Sequence, residues 1–196
     1  MSELIYPRLK EVFLGGDEPE LVVDAISHPF MEGVEIMYLL DAGAAYEYLS
    51  SERLNALGVS ESSVFDLSIR NLERLLMGRG EVTRYSNGLG VATQLDGFES
   101  SLLLLPKKLE ELGIERSTSC FAVPLRDVLA FCPARDAAAR AELERVAKIV
   151  FAEGMPSHRV SGRLLVPSED HESGYAWLDG RSGTSDERPG GRIKFH

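Results

Sequence analysis

The chain has little with which to staple itself, cross a membrane or hold a metal. Its 196 residues include only two cysteines, Cys120 and Cys132, and both sit inside apolar runs. Their spacing fits neither a C-x-x-C redox motif nor a zinc pattern, so they read as small buried hydrophobes. A chain of this length buries an adequate core without disulfides. Apolar runs such as Leu102 to Pro106 and Val128 to Ala134 fall far short of the ~20 residues that span a bilayer. The start, MSELIYPRLKEVF, lacks the basic and apolar regions of a signal peptide. The expectation is a cytoplasmic protein without a membrane partner.

Positive charge is also scarce. Against 31 acidic residues stand 21 Lys and Arg, a formal net charge of −10. Such a surface repels phosphate backbones, so no nucleic-acid partner is expected. The one short basic pair, Lys107-Lys108, is followed at once by Glu110-Glu111. The histidines, 28, 158, 171 and 196, are scattered without H-x-H or H-E-x-x-H spacing, which gives no reason to expect a metal or other cofactor. No G-x-S-x-G elbow is present, and GLGVAT (88–93) lacks the Lys and Ser/Thr of a phosphate loop.

What remains is an ordinary globular composition, 44% hydrophobic and 27% charged. Leu4 to Phe13 places Ile5, Leu9 and Val12 at helical spacing, and Glu20 to Ser27 suits a second short helix. VEIMYLL (34–40) and Ala45 to Leu49 flank an Asp41-Ala42-Gly43 turn, a hairpin. Ser50-Ser51 caps a short helix ending at Gly58, and Ser60 starts a longer one with Phe65, Ile69, Leu72 and Leu76 on one face. A second hairpin turns at Asn87-Gly88, where both residues tolerate positive φ. Leu102 to Leu112 is a helical stripe in which Pro106 kinks the helix or starts its second half. Ser117 to Val123 and Val128 to Phe131 form a third strand pair, and Asp136 caps a helix closed by Gly154. Arg159 to Val166 and Tyr175 to Leu178 read as strands. The order predicts an α+β domain, residues 1–180, with mainly antiparallel sheet built from successive hairpins and interleaved helices. Residues 181–196 (RSGTSDERPGGRIKFH) form a loop-like tail by composition.

The string IMYLLDAGAAYEYLSSERLNALGVSESSVFDLSIRNLERLL (36–76) resembles the central segment of the DUF1444, or YtpQ-like, family of bacterial proteins. IYPRLK, LDGFESSLLLL and FAVPLRDVLAFCPARD resemble further blocks of that family in the same order, over roughly residues 4–178. The resemblance implies an intracellular α+β bacterial protein, with no catalytic residues to carry over. Leu125 stands where the family pattern often has Asn, and PSEDHESG (167–174) lies outside it.

Three residues are candidates for chemistry. Arg126 and Asp127 lie between two apolar strands: a forked guanidinium beside a carboxylate suits an anionic ligand, and the same pair suits a polar corner. Asp96, before Gly97, caps the helix starting near Phe98 or joins Asp127 in an acid/base or divalent-metal pair. Two functions follow. The first is a non-enzymatic protein-binding module, of accessory or immunity type, whose acidic surface steers a basic protein partner. The second is an enzyme or binder of a small polar metabolite with Asp96, Arg126 and Asp127 in its cleft. A homodimer through an exposed hairpin edge or the tail is compatible with either.

Overall fold

The computed structural model describes residues 4–11 and 24–178. It is an α+β structure with two antiparallel sheets. The smaller sheet contains β1 (Ile5–Glu11), β2 (Ser27–Met31), β3 (Val34–Asp41) and β4 (Tyr46–Tyr48), with β3 paired to the other three. The larger contains β5 (Glu81–Arg84), β6 (Gly90–Thr93), β7 (Ser119–Ala122), β8 (Leu129–Pro133), β9 (Leu164–Pro167) and β10 (Tyr175–Trp177), in the spatial order β10-β9-β7-β8-β6-β5. Four α-helices join them among the described residues: α1 (Ser51–Ala56), α2 (Glu61–Leu75), α3 (Pro106–Glu111) and α4 (Ala137–Glu153).

Most junctions lie where turn and cap chemistry puts them. Ser50 Oγ accepts the Arg53 N–H at the start of α1, and Asp136 Oδ1 accepts the Ala139 N–H at the start of α4. A 3₁₀ turn at Ser100–Leu104 precedes α3, so Pro106 starts a new helix and does not kink an old one. The β5–β6 hairpin is more specific than its sequence suggests. Only Gly88 has positive φ (82°), and its N–H donates to the Tyr85 carbonyl. The loop is therefore a type I turn closed by a left-handed glycine, while Asn87 accepts the Leu89 N–H.

Three expectations are corrected. The first segment is strand β1, not a helix. Ile5 to Lys10 are all buried, and a strand enclosed on both faces has no polar stripe for periodicity to reveal. Of the helix expected over 20–27, the described part holds a turn, a bridge from Ala25 to Ser50 and the first residue of β2; the rest, like residues 12–13 and the 181–196 tail, lies outside the described residues. In α2 the buried face is Val64, Ser68, Asn71 and Leu72, which leaves Phe65 exposed. Asn71 Nδ2 donates to the Ile5 carbonyl (3.0 Å), locking the helix onto β1 with a buried polar bond.

One hydrophobic cluster runs through both sheets, from Ile5, Leu9 and Tyr38 to Phe121, Phe131, Leu165 and Tyr175. A second lies under α4. There Cys120, Ala122, Ala130 and Cys132 point away from the main core toward Ala139, Leu143 and Ala147. Alternation along β7 and β8 thus divides large side chains from small, and the small ones let the helix approach closely. The two thiols are free, fully buried and directly opposed in register. No described helix is long and apolar enough to cross a membrane.

Candidate functional site

Edge strands β2 and β10, from different sheets, face each other across a cleft of about 850 Å³. Its apolar walls come from Phe30 and Met31 on β2, Phe65 on α2, Leu103 and Leu104 before α3, and Trp177 on β10. The two sides are tied at the bottom of the β2–β3 turn. Trp177 Nε1 donates to the Glu32 carbonyl (3.2 Å), and the Arg163 guanidinium lies over the Trp177 ring (4.4 Å) while pairing with Glu32 (3.4 Å). Arg116 lies over the Tyr175 ring (4.6 Å), and its Nη2 donates to the Gly174 carbonyl. His28 Nδ1 and the Tyr38 hydroxyl share a 2.6 Å hydrogen bond. Burial pushes the Tyr38 phenol above its ordinary range, so it stays protonated. Arg163 and Arg116 are thus engaged by the protein itself, although the enclosed Arg116 Nε has no acceptor, and the carboxylates at the mouth are exposed. The Glu32 side chain is 83% exposed, and Glu169, Asp170 and Glu172 are exposed in the loop before β10.

Asp96, Arg126 and Asp127 do not line this cleft. Asp96 and Gly97 both have positive φ (56° and 79°), and the Phe98 N–H donates to the Leu95 carbonyl (3.0 Å). This is a type I′ turn, which needs positive φ at both central positions. The Asp96 carboxylate pairs with Arg79 at the surface and not with the backbone of the following turn. Its work is geometric, and a half-exposed pair of this kind adds little stability. Glu99, which sequence reasoning passed over, instead accepts the Leu95 N–H with Oε1 (3.1 Å).

Arg126 and Asp127 occupy a turn between Leu125 and Val128, closed by a Val128 N–H to Leu125 carbonyl bond (3.1 Å). The Arg126 backbone is pinned twice: its N–H donates to the His158 carbonyl (2.8 Å), and its carbonyl accepts from Ser100 Oγ (2.8 Å). Asp127 is exposed. The corner reading accounts for the backbone of this pair, while their charges act on another group that sequence reasoning missed. Arg8 on β1 is 7% exposed, with Lys10 beside it at 9%. Burial, reinforced by Arg126, pulls the Arg8 guanidinium down to about 10. Burial first, then Arg126, also lowers His158, with Asp127 opposing and Arg8 and Lys10 assisting. Arg8 and Lys10 were invisible because they stand in a segment that reads as an amphipathic helix, where polar residues belong in solvent.

Among the described residues no group of three or more His, Cys, Asp and Glu side chains is placed to hold a metal ion. No family model, no curated protein and no solved structure matches the chain.

Proposed function

We propose that the chain is a non-enzymatic protein-binding module of accessory or immunity type, as its acidic surface and lack of catalytic motifs suggest, in a bacterium as its DUF1444-like blocks suggest. In this reading it acts in the cytoplasm, and the cleft between β2 and β10 receives an extended segment of a basic protein partner. The observation that carries the reading is the contrast between floor and rim. Phe30, Phe65, Leu104 and Trp177 offer apolar surface to an inserted side chain, while Glu32 and Glu172 stand exposed at the mouth. Apolar anchors inside a charged border supply affinity, and complementary rim charge supplies on-rate and selection. Trp177 is the only tryptophan of the chain, so occupancy of the cleft reports itself in emission. Titration with short peptides carrying Phe or Leu between Lys and Arg residues should shift Trp177 emission, with affinity falling as salt rises. Peptides with the same apolar core between Asp and Glu residues should bind more weakly. Equal binding of the two sets, or an unchanged emission with both, would defeat the proposal. The second reading, a small polar ligand beside Arg126 and Asp127, draws support from the Arg8 cluster.

A further inference from the structure

Arg8 is the one described arginine that is nine-tenths buried, and its guanidinium makes no hydrogen bond or ion pair with any described residue. Its Nε is enclosed and lacks an acceptor. The guanidinium is held by rings, 4.8 Å from the Phe98 centroid and 5.7 Å from that of Tyr46. Stacking of this kind steadies a cation and fixes its plane, but it leaves the in-plane N–H donors unmatched. A buried arginine fork ordinarily meets a carboxylate. Asp96 is paired with Arg79, Glu99 gives Oε1 to the Leu95 N–H while its enclosed Oε2 also lacks a partner, and Asp127, the carboxylate whose charge acts on Arg8, lies exposed on the Arg126 turn.

Other cations are brought to the same place by hydrogen bonds remote in sequence. Ser101 Oγ donates to the Pro7 carbonyl, next to Arg8, and the adjacent Ser100 donates to the Arg126 carbonyl. One 3₁₀ turn therefore clips β1 and the Arg126 turn to its two sides. The Arg126 N–H reaches the His158 carbonyl, and the Glu11 N–H reaches the Arg159 carbonyl (3.3 Å), which closes the ring of segments around β1. Lys10 shares the Arg8 face of the strand, with its ammonium 3.4 Å from the Tyr48 hydroxyl. Tyr46, 39% exposed, forms the outer wall. Gly97 lies beside this group: a Cβ there would meet Arg8 Nη2 at 4.0 Å, an ordinary contact, so the glycine answers to the positive φ of its turn (79°).

We propose that Arg8, with Lys10 and Arg126, forms a binding site for the oxyanion head of a small molecule, a phosphate or carboxylate group seated against the edge of the Arg8 guanidinium beside Tyr46. Arg8 supplies the planar fork, Lys10 a point charge, and Arg126 the second fork from a turn whose backbone is already fixed. Asp127 and Glu35, the latter opposite Lys10 in the β1–β3 register, keep the site from accepting every passing anion.

The test titrates the intact protein with inorganic phosphate and, separately, with acetate, at constant ionic strength set by chloride. It follows the Arg8 Nε–H signal by NMR and the heat of binding by calorimetry. At least one of the two should move that signal saturably and raise the melting midpoint, while chloride does neither. A response to phosphate alone assigns a phosphate head, and a response to acetate as well assigns a general oxyanion site. Arg126→Gln should weaken binding about tenfold, the cost of one charge-assisted contact. Because the Arg126 backbone makes the structural bonds, this variant keeps the experiment decisive even where Arg8→Gln fails to fold. A flat titration with both anions, or equal affinity in Arg126→Gln, would overturn the assignment.

Discussion

Arg8 shows how a single residue can work against the stability of its own fold. Lowering of the Arg8 guanidinium to about 10 corresponds to disfavoured charge on the order of a few kcal/mol in the folded state. Ring stacking returns on the order of 1–2 kcal/mol of that. Replacement by a neutral side chain of similar length removes the cost, so Arg8→Met should leave the unliganded protein at least as stable, with a gain of about 1 kcal/mol in denaturant melts. An outright loss of stability would mean that Arg8 has a partner already. His158 acts in the same field with a definite sign. Its folded pKa lies below the ordinary 6.5, lowered by burial and by Arg126, with Arg8 and Lys10 assisting and Asp127 opposing. The unfolded chain therefore takes up the proton first, and stability is complete above about 6.5 and declines as pH falls below it. His158→Gln should flatten that decline in melts between neutral and mildly acid pH, and an unchanged slope would remove His158 from the account.

The elements show which parts of this architecture were legible in advance. Hairpins and capped helices were, because each carries a local signal: Asn87-Gly88 for a turn, Ser50 and Asp136 for helix starts. The Asp136 cap gives a measurable instance, and Asp136→Ala should destabilise the protein by about 1 kcal/mol through the lost bond to the Ala139 N–H. A cost near zero in chemical denaturation would show that the cap is replaceable. β1 was not legible, because burial on both faces erases the alternation that identifies a strand, and Ile5 and Leu9 happen to sit four apart. The face of α2 was misread by one position for a related reason. Ser68 and Asn71 are polar by type yet buried, with Ser68 returning its hydroxyl to the Phe65 carbonyl and Asn71 bonding Ile5. That rotation turned Phe65 outward into the cleft. The candidate residues divide in the same way: the Arg126 corner could be read locally, but the Arg8 side chain depends on Tyr46 and Phe98, 38 and 90 positions away.

At the scale of the whole molecule, the two sheets share one core and meet through β1. This strand pairs with β3, carries α2 across its back, and receives hydrogen bonds or carbonyl contacts from segments near residues 101 and 159. Removal of everything after Gly154 takes away the strands β9 and β10 and the segment that covers Glu11, and the truncated chain should lose its cooperative melting transition. A sharp transition in calorimetry for that fragment would show that the smaller sheet stands without its neighbour. The same arrangement has a consequence in time. β1 leaves the ribosome ahead of the other described strands, yet Arg159, which meets Glu11, follows about 150 positions later, a wait of roughly seven to thirty seconds at ordinary synthesis rates. For that interval the nascent chain holds an unclosed strand bearing Ile5 and Leu9, and its safe arrival depends on how well β3 and α2 shelter it until Arg159 is made.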